Sequence, residues 1–112
     1  MSEPRLAAAF WVQAYMRRLS LHDIPAFVVH RGDDTAGAVL VKLNRLDGTA
    51  QAFTRSFDLM TDTRKWSELA SGPDRDVEDT VARQRSFDSD LWVIEVEDRQ
   101  GRHLLDQPGL DS

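Results

Sequence analysis

The sequence contains no cysteine. A disulfide, a thiolate metal site and a thiol nucleophile are therefore excluded, and the composition fits a reducing compartment, so the expected location is cytoplasmic. Long hydrophobic runs are also lacking. The most apolar stretch, LAAAFWVQAYM, is shorter than the roughly 18 residues of a membrane-spanning helix, and it runs into two arginines without a clear cleavage site. We expect neither a membrane role nor an export signal.

Positive charge is in short supply. Lys and Arg number 14 against 19 Asp and Glu, which gives a net charge of -5. A chain of this balance lacks the broad basic surface that drives binding to a phosphate backbone, so nucleic acid is an improbable partner. With 41% hydrophobic and 29% charged residues in 112, the composition is that of one soluble domain spanning residues 1–112.

A first helix is predicted over residues 5–21. Its apolar residues fall on one arc at helical spacing, with Trp11 at the margin of that arc. The arc consists of Ala8, Val12, Tyr15, Met16 and Leu19. Asp23 and Pro25 mark the end of the helix, because proline disfavours helical geometry in the residue before it. The segment AFVVH that follows reads as a short buried strand.

Two further strands, 38–45 and 49–57, flank Asp47-Gly48, which is a strong signal for a two-residue hairpin turn with positive φ at both positions. That turn fixes the register. It pairs Leu43 with Ala52 and Val41 with Thr54 on the more apolar face. On the opposite face it pairs Lys42 with Phe53 and Leu40 with Arg55, which places two cations beside an aromatic ring.

The remaining chain is predicted to hold one connection, one helix and one strand. Residues 58–72 show no clear period and read as a connection pinned to the core by Trp66 and Leu69. A second helix starts at Pro73, capped by Ser71 or Gly72, and ends near Ser86. LWVIEVE forms the last long strand, and HLL pairs back briefly. The predicted class is α+β, of order α-β-β-β-α-β, with a mostly antiparallel sheet and two helices packed on one face.

Three segments together resemble a known family. They are FWVQAYMRRL (10–19), IPAFVVHRGDDTAGAVLVKLN (24–44) and ARQRSFDSDLWVIEVEDRQGR (82–102). In sequence, order and spacing they are similar to the short bacterial proteins of domain-of-unknown-function family 1491. The resemblance implies a soluble bacterial protein and implies no activity.

The loop HRGDDTAG between two strands has two interpretations. Its glycines and short polar residues suit a structural turn, which is the favoured interpretation. Alternatively the loop, with its Arg31, Asp33 and Asp34, forms an anion-binding site together with Lys42 and Arg55. A phosphate-binding loop would lead into a helix, whereas this loop leads into a strand.

No catalytic, metal or cofactor signature accompanies that loop. His30, Asp33 and Asp34 lack a spaced set of further ligands, so no metal is expected, and no G-x-S-x-G surrounds any serine. The predicted element order is also that of restriction-endonuclease-like domains. However, the third strand, TAQAFTRSF, lacks the acid-x-lysine that would hold Mg²⁺ there.

The first helix carries a second apolar strip, formed by Leu6, Phe10 and Ala14, away from its main arc. Unless other parts of the chain cover it, such a strip is a contact surface. The function that the sequence favours is therefore a small protein-interaction module, a possible homodimer formed through this helix. The alternative is an anion- or nucleotide-handling enzyme.

Overall fold

The N-terminal helix forms where its apolar arc predicts it. The structure, a computed structural model, describes residues 7–58, 60 and 63–108. Helix α1 spans Ala8–Leu21, and its buried residues are Ala8, Trp11, Val12, Tyr15 and Leu19. The chain leaves the helix with the backbone N–H groups of His22 and Ile24 both donating to the Leu19 carbonyl. Asp23 between them has a positive φ of 58°.

Five strands form one mixed sheet. They are β1 (Ala26–His30), β2 (Val39–Asn44), β3 (Thr49–Asp58), β4 (Thr63–Pro73) and β5 (Trp92–Glu97), and helix α2 (Asp74–Phe87) lies between the last two. The order across the sheet is β1-β5-β2-β3-β4. Strands β2 and β5 run parallel, and the other neighbours are antiparallel. The predicted α+β class with a mostly antiparallel sheet is confirmed.

Strand β4 corrects the prediction of an irregular connection over residues 58–72. It pairs with β3 along its length, with one irregularity between Ala52 and Phe53 of β3. An edge strand has one neighbour only, and the described side chains of β4 are exposed or half-buried. Its sequence therefore needs no apolar alternation, which is why periodicity did not reveal it. The element order is α-β-β-β-β-α-β.

The two helices lie on opposite faces of the sheet, so their predicted placement on one face was wrong. Val39, Val41 and Leu43 of β2 belong to the core cluster that contains the α1 residues. Leu40 belongs to a second cluster with Val77 of α2. A central strand covered on both faces is apolar at nearly every position, and this uniform pattern does not tell how many layers cover it.

The β2–β3 hairpin is shifted by one residue from the predicted register. Val41 pairs with Phe53, and Lys42 pairs with Ala52. The turn has positive φ at Leu46 and Gly48, not at Asp47 and Gly48. A shift of one residue exchanges the two faces of a strand. Phe53 consequently packs in the α1 cluster, while Lys42 lies on the α2 side.

The structure also differs from the prediction at the start of α2 and in the C-terminal segment. Pro73, not Ser71 or Gly72, occupies the capping position of α2, and no side chain caps it. The Asp74 N–H instead donates to the Gly48 carbonyl over 2.9 Å. Residues 103–105 form no strand within the part of the chain that the structure describes.

Candidate functional site

A groove lies on the α1 side of the sheet, beside the last described residues. Its cavity has a volume of about 610 Å³. Trp11 of α1, Phe53 of β3 and Trp66 of β4 form its aromatic floor, and residues 103–108 form one wall. The ring centroids of Trp11 and Trp66 are 5.4 Å apart. Trp11 and Phe53 are buried, so the partly exposed ring of Trp66 is the flat apolar surface that the groove offers to a small organic molecule.

Arg55 brings a positive charge into this aromatic floor. Its guanidinium carbon lies 5.3 Å from the ring centroid of Trp11 and 5.7 Å from that of Trp66. The faces of aromatic rings attract cations, so the two rings hold the guanidinium in place. The hairpin register explains the location, because Arg55 shares the face of Phe53, two residues earlier on β3.

His103 contributes a hydrogen-bond donor to the same groove. Its Nδ1 accepts the backbone N–H of Leu105 over 3.0 Å, which places the proton of the neutral ring on Nε2. Burial lowers the pKa of His103; the charge of Asp106 partly opposes this effect, and the charge of Arg45 adds to it. The imidazole is therefore neutral at neutral pH and presents an N–H at Nε2.

The wall at 103–108 is anchored to α1 by two hydrogen bonds. The Tyr15 hydroxyl donates to the His103 carbonyl over 2.7 Å, and Arg18 Nη1 donates to the Pro108 carbonyl over 2.7 Å. Burial raises the pKa of Tyr15 far above its ordinary value, so the hydroxyl keeps the proton that it donates. The wall is thus a fixed part of the groove.

The polar side chains of the groove differ in how deeply they are buried. Arg55 and His103 are half-buried and line the cavity, and in the tautomer described each side chain carries N–H donors. Lys65, Glu68 and Asp106 are exposed at the rim. The interior therefore favours a ligand group with acceptor oxygens. The rim carries both positive and negative side chains, so it favours neither sign of ligand charge. No Ser, Thr or Cys occurs among the described residues that line the groove.

The loop between β1 and β2 uses its polar groups internally. Asp33 Oδ2 accepts the backbone N–H groups of Ala36 (2.7 Å) and Thr35 (3.1 Å). These bonds lower the pKa of Asp33. Asp34 forms an exposed ion pair with Arg31 at 2.8 Å. The Arg31 guanidinium also lies 5.2 Å from the Trp92 ring centroid.

The same loop holds the first turn of α1. The N–H of Ala8 donates to the Thr35 carbonyl (3.2 Å), and the N–H of Ala9 donates to the Asp34 carbonyl (2.9 Å). These are donors that a helix cannot satisfy by itself. The geometry of the loop accordingly matches the turn interpretation, in which its backbone joins α1 to the sheet.

We predict that Asp33→Ala lowers the melting temperature more than Asp34→Ala does. Asp33 accepts two backbone N–H groups, whereas Asp34 forms a surface ion pair, which contributes little. Because the folded-state pKa of Asp33 is depressed, its stabilisation is present above the ordinary aspartate pKa and is lost as the pH falls through the folded-state value. Thermal melts of both variants at neutral and acidic pH check this. Equal loss from both variants at neutral pH would contradict it.

Lys42 lies on the other face of the sheet in a cluster of carboxylates. Its Nζ is 2.6 Å from Asp74, forms a shorter contact with Glu78, and is 3.5 Å from Glu95. Burial lowers the pKa of Lys42, but the hydrogen bonds and charges of these carboxylates outweigh it and raise the pKa overall. The lysine stays charged and joins β2 to α2 and β5.

The predicted anion site is therefore not assembled in one place. Arg31, Asp33 and Asp34 lie in the β1–β2 loop, Lys42 lies under α2, and Arg55 lies in the groove on the opposite face. Of the predicted interface strip, Phe10 is 59% exposed and Ala14 is half-buried. Leu6 lies outside the described residues.

The aromatic side chains and His103 are the groove residues that sequence reasoning did not assign to a site. Trp66 was predicted only to pin a connection, and it does pack against the α1 core cluster. His103 lies far along the chain from Phe53, yet their ring centroids are 4.7 Å apart. Spacing along the chain carries no signal for such a contact.

The described residues contain no cluster of His, Cys, Asp or Glu suited to a metal ion. Among them, no helix is both long and apolar enough to cross a membrane.

The fold and groove define a small α+β domain with a mixed five-stranded sheet between two helices and an aromatic groove on one face. The chain belongs to the DUF1491 family of proteins of unknown function, whose family model matches residues 6–106. The resemblance seen in the sequence is thereby confirmed. No curated protein matches the chain.

Solved structures of relatives share the fold. The crystal structure of a DUF1491 family protein from Caulobacter crescentus is 39% identical, with a TM-score of 0.83 over 92% of this chain and 97% of that one. An NMR structure of a family protein from the same organism is 37% identical, with a TM-score of 0.81 over 95% and 97% of the two chains. A protein from A. tumefaciens is 28% identical, with a TM-score of 0.71 over 84% and 86%.

Proposed function

We propose that the protein binds a small planar organic anion, a flat apolar ring carrying a carboxylate or a phosphate, in the groove between α1, β3, β4 and residues 103–108. The observation that carries this proposal is the position of the Arg55 guanidinium against the Trp11 and Trp66 rings. A flat ring packs against the partly exposed Trp66, and the charged group accepts hydrogen bonds from the guanidinium.

The surroundings of Arg55 support an anion over a neutral ligand. The second half-buried polar side chain that lines the groove, His103, uses its Nδ1 acceptor on the Leu105 N–H and keeps an N–H donor at Nε2. A charge-assisted hydrogen bond is shorter and stronger than one between neutral groups, so the anionic form of the ligand gains more from both donors. The sequence predicted an anion-binding site at Arg31, Asp33, Asp34, Lys42 and Arg55. Of these residues, the present proposal keeps Arg55 alone.

Isothermal titration calorimetry with naphthalene-2-carboxylate tests the proposal. Its neutral isostere, 2-naphthamide, is expected to bind about tenfold more weakly, as the loss of a charge-assisted bond predicts. Adenosine monophosphate, titrated in parallel, separates a phosphate-bearing ligand from a carboxylate. Binding of neither anion, or equal binding of carboxylate and amide, would reject the proposal.

Arg55→Met is expected to weaken binding of the preferred anion by about tenfold, because the guanidinium donors are removed while the apolar contact with the tryptophans is kept. Arg31→Met is the matched control, since Arg31 also stacks on a tryptophan but lies outside the groove. Calorimetry on both variants gives the comparison. Equal losses from the two substitutions would place the effect outside the groove.

A second candidate function is a protein-interaction module that forms a homodimer through α1. The 59% exposure of the Phe10 side chain, a large apolar group on α1, favours it. Phe10→Glu should then dissociate the dimer without lowering the melting temperature. Both functions would operate in the bacterial cytoplasm, which the cysteine-free sequence fits and the bacterial relatives support.

A further inference from the structure

The outer edge of β1 is apolar, and no described strand pairs with it. β1 stands at the end of the sheet, with β5 as its one neighbour among the described residues. Three consecutive side chains are exposed: Phe27 by 54%, Val28 by 42% and Val29 by 52%. Natural edge strands are usually blunted by charged residues, because an open edge pairs with other strands. This edge has no charge within Ala26–Val29.

The backbone limits the open edge to three residues. Pro25 has no N–H to donate, and the pairing with β5 is irregular between Val28 and His30. The Pro25 carbonyl accepts from the Glu97 N–H over 2.9 Å, so Pro25 faces β5. Because an antiparallel ladder alternates, Ala26 and Val28 direct their N–H and C=O groups away from β5, toward the open edge.

We propose that two copies of the protein pair through β1, antiparallel and symmetric about Phe27, to form one continuous sheet. This register pairs Ala26 of each copy with Val28 of the other, so that all four outward groups of both residues are used. It also sets the two Phe27 side chains against each other on the α2 side. A symmetric pair of this kind is closed and leaves β1 with no free edge.

One further feature matches this register. On the α1 side, an open pocket lies beside Ala26, lined by Met16, Ile24 and Pro25 among others. The Val28 side chain of the second copy, which is adjacent to Ala26, enters this pocket.

Sedimentation equilibrium from about 10 to about 500 µM, the range of a weak short-edge contact, tests the pairing. The wild type is expected to dimerise, and Phe27→Lys to weaken the dimer at least about tenfold, because two like charges would face each other. Phe87→Lys is the matched control at another exposed phenylalanine, outside both β1 and α1, and Phe10→Glu reports on the competing α1 dimer. A wild type that stays monomeric, or a dimer lost in Phe10→Glu and kept in Phe27→Lys, would overturn the proposal.

A second variant keeps the test decisive if Phe27→Lys does not fold. Val28→Asp should weaken the dimer, because its carboxylate would lose water in the pocket beside Ala26 of the second copy. Val29→Asp is the matched control at an exposed valine outside the three paired residues. Melting temperatures confirm that each variant is folded. Dimers of equal strength in the two variants would contradict the register.

Discussion

Replacing Gly32 by alanine is expected to destabilise the protein by about 3 kcal/mol, the upper range for forcing an added group into a packed region. A Cβ at this position would lie 2.2 Å from the Asp90 carbonyl oxygen and 2.6 Å from the Trp92 side chain. Backbone atoms cannot yield as a flexible side chain does. The β1–β2 loop would have to move away from the start of β5, and its contacts with α1 would weaken. Urea denaturation measures the loss.

Gly48→Ala is the matched control for Gly32→Ala. Gly48 has a φ of 91°, and nothing lies within 4 Å of a Cβ built there. The substitution is therefore expected to cost about 1 kcal/mol, from backbone strain alone. A loss at Gly48 equal to or larger than the loss at Gly32 would contradict the close packing of the loop against Asp90.

Lys42→Met is expected to destabilise the protein by about 2–3 kcal/mol. Removing one partner of a buried ion pair costs roughly 3–5 kcal/mol, and the partial exposure of Asp74 and Glu78 reduces that cost here. Arg31→Met, which breaks an exposed ion pair, should cost about 0.5 kcal/mol or less. Chemical denaturation of both variants at neutral pH gives the comparison. Equal values would contradict the burial of Lys42.

The alkaline pH dependence follows from the raised pKa of Lys42. A raised folded-state pKa means that its stabilisation is complete below the ordinary lysine pKa and is lost as the pH rises through the folded-state value. The wild type should therefore lose part of its advantage over Lys42→Met in strongly alkaline solution. A constant difference between them across this range would contradict the charged state assigned to Lys42.

The positions of helix α1 and of the strands β1, β2 and β5 could be predicted from the sequence because each has a strong local signal. The prediction that β1 is buried was wrong, since Phe27, Val28 and Val29 are exposed. The arc containing Val12 and Leu19 fixes the buried side of α1, and Asp23-Ile24-Pro25 ends the helix. Strand β4 could not be predicted in this way, because its single neighbour and exposed side chains leave no periodic pattern. In β2, side chains on both sides of the strand are buried, so its sequence did not show that the two helices cover opposite faces of the sheet.

The candidate site was harder to predict because it depends on register and on long-range contacts. One residue of error at the Asp47-Gly48 turn placed Arg55 and Lys42 on the same face. In the structure they lie on opposite faces, and Lys42 meets Glu95 through the parallel pairing of β2 with β5. The sequence alone does not reveal that strand order. It also does not reveal that Trp11, Trp66 and His103 surround one cavity.

The most direct test of the proposed groove is a ¹H–¹⁵N spectrum of the labelled protein titrated with naphthalene-2-carboxylate. The sequence has three tryptophans, so three indole N–H signals report on the ligand. Those of Trp11 and Trp66 should shift, while that of Trp92, whose Nε1 donates to the Asp33 carbonyl away from the groove, should not. Shifts confined to Trp92, or no shift in any of the three, would contradict a ligand site built on Trp11, Trp66 and Arg55.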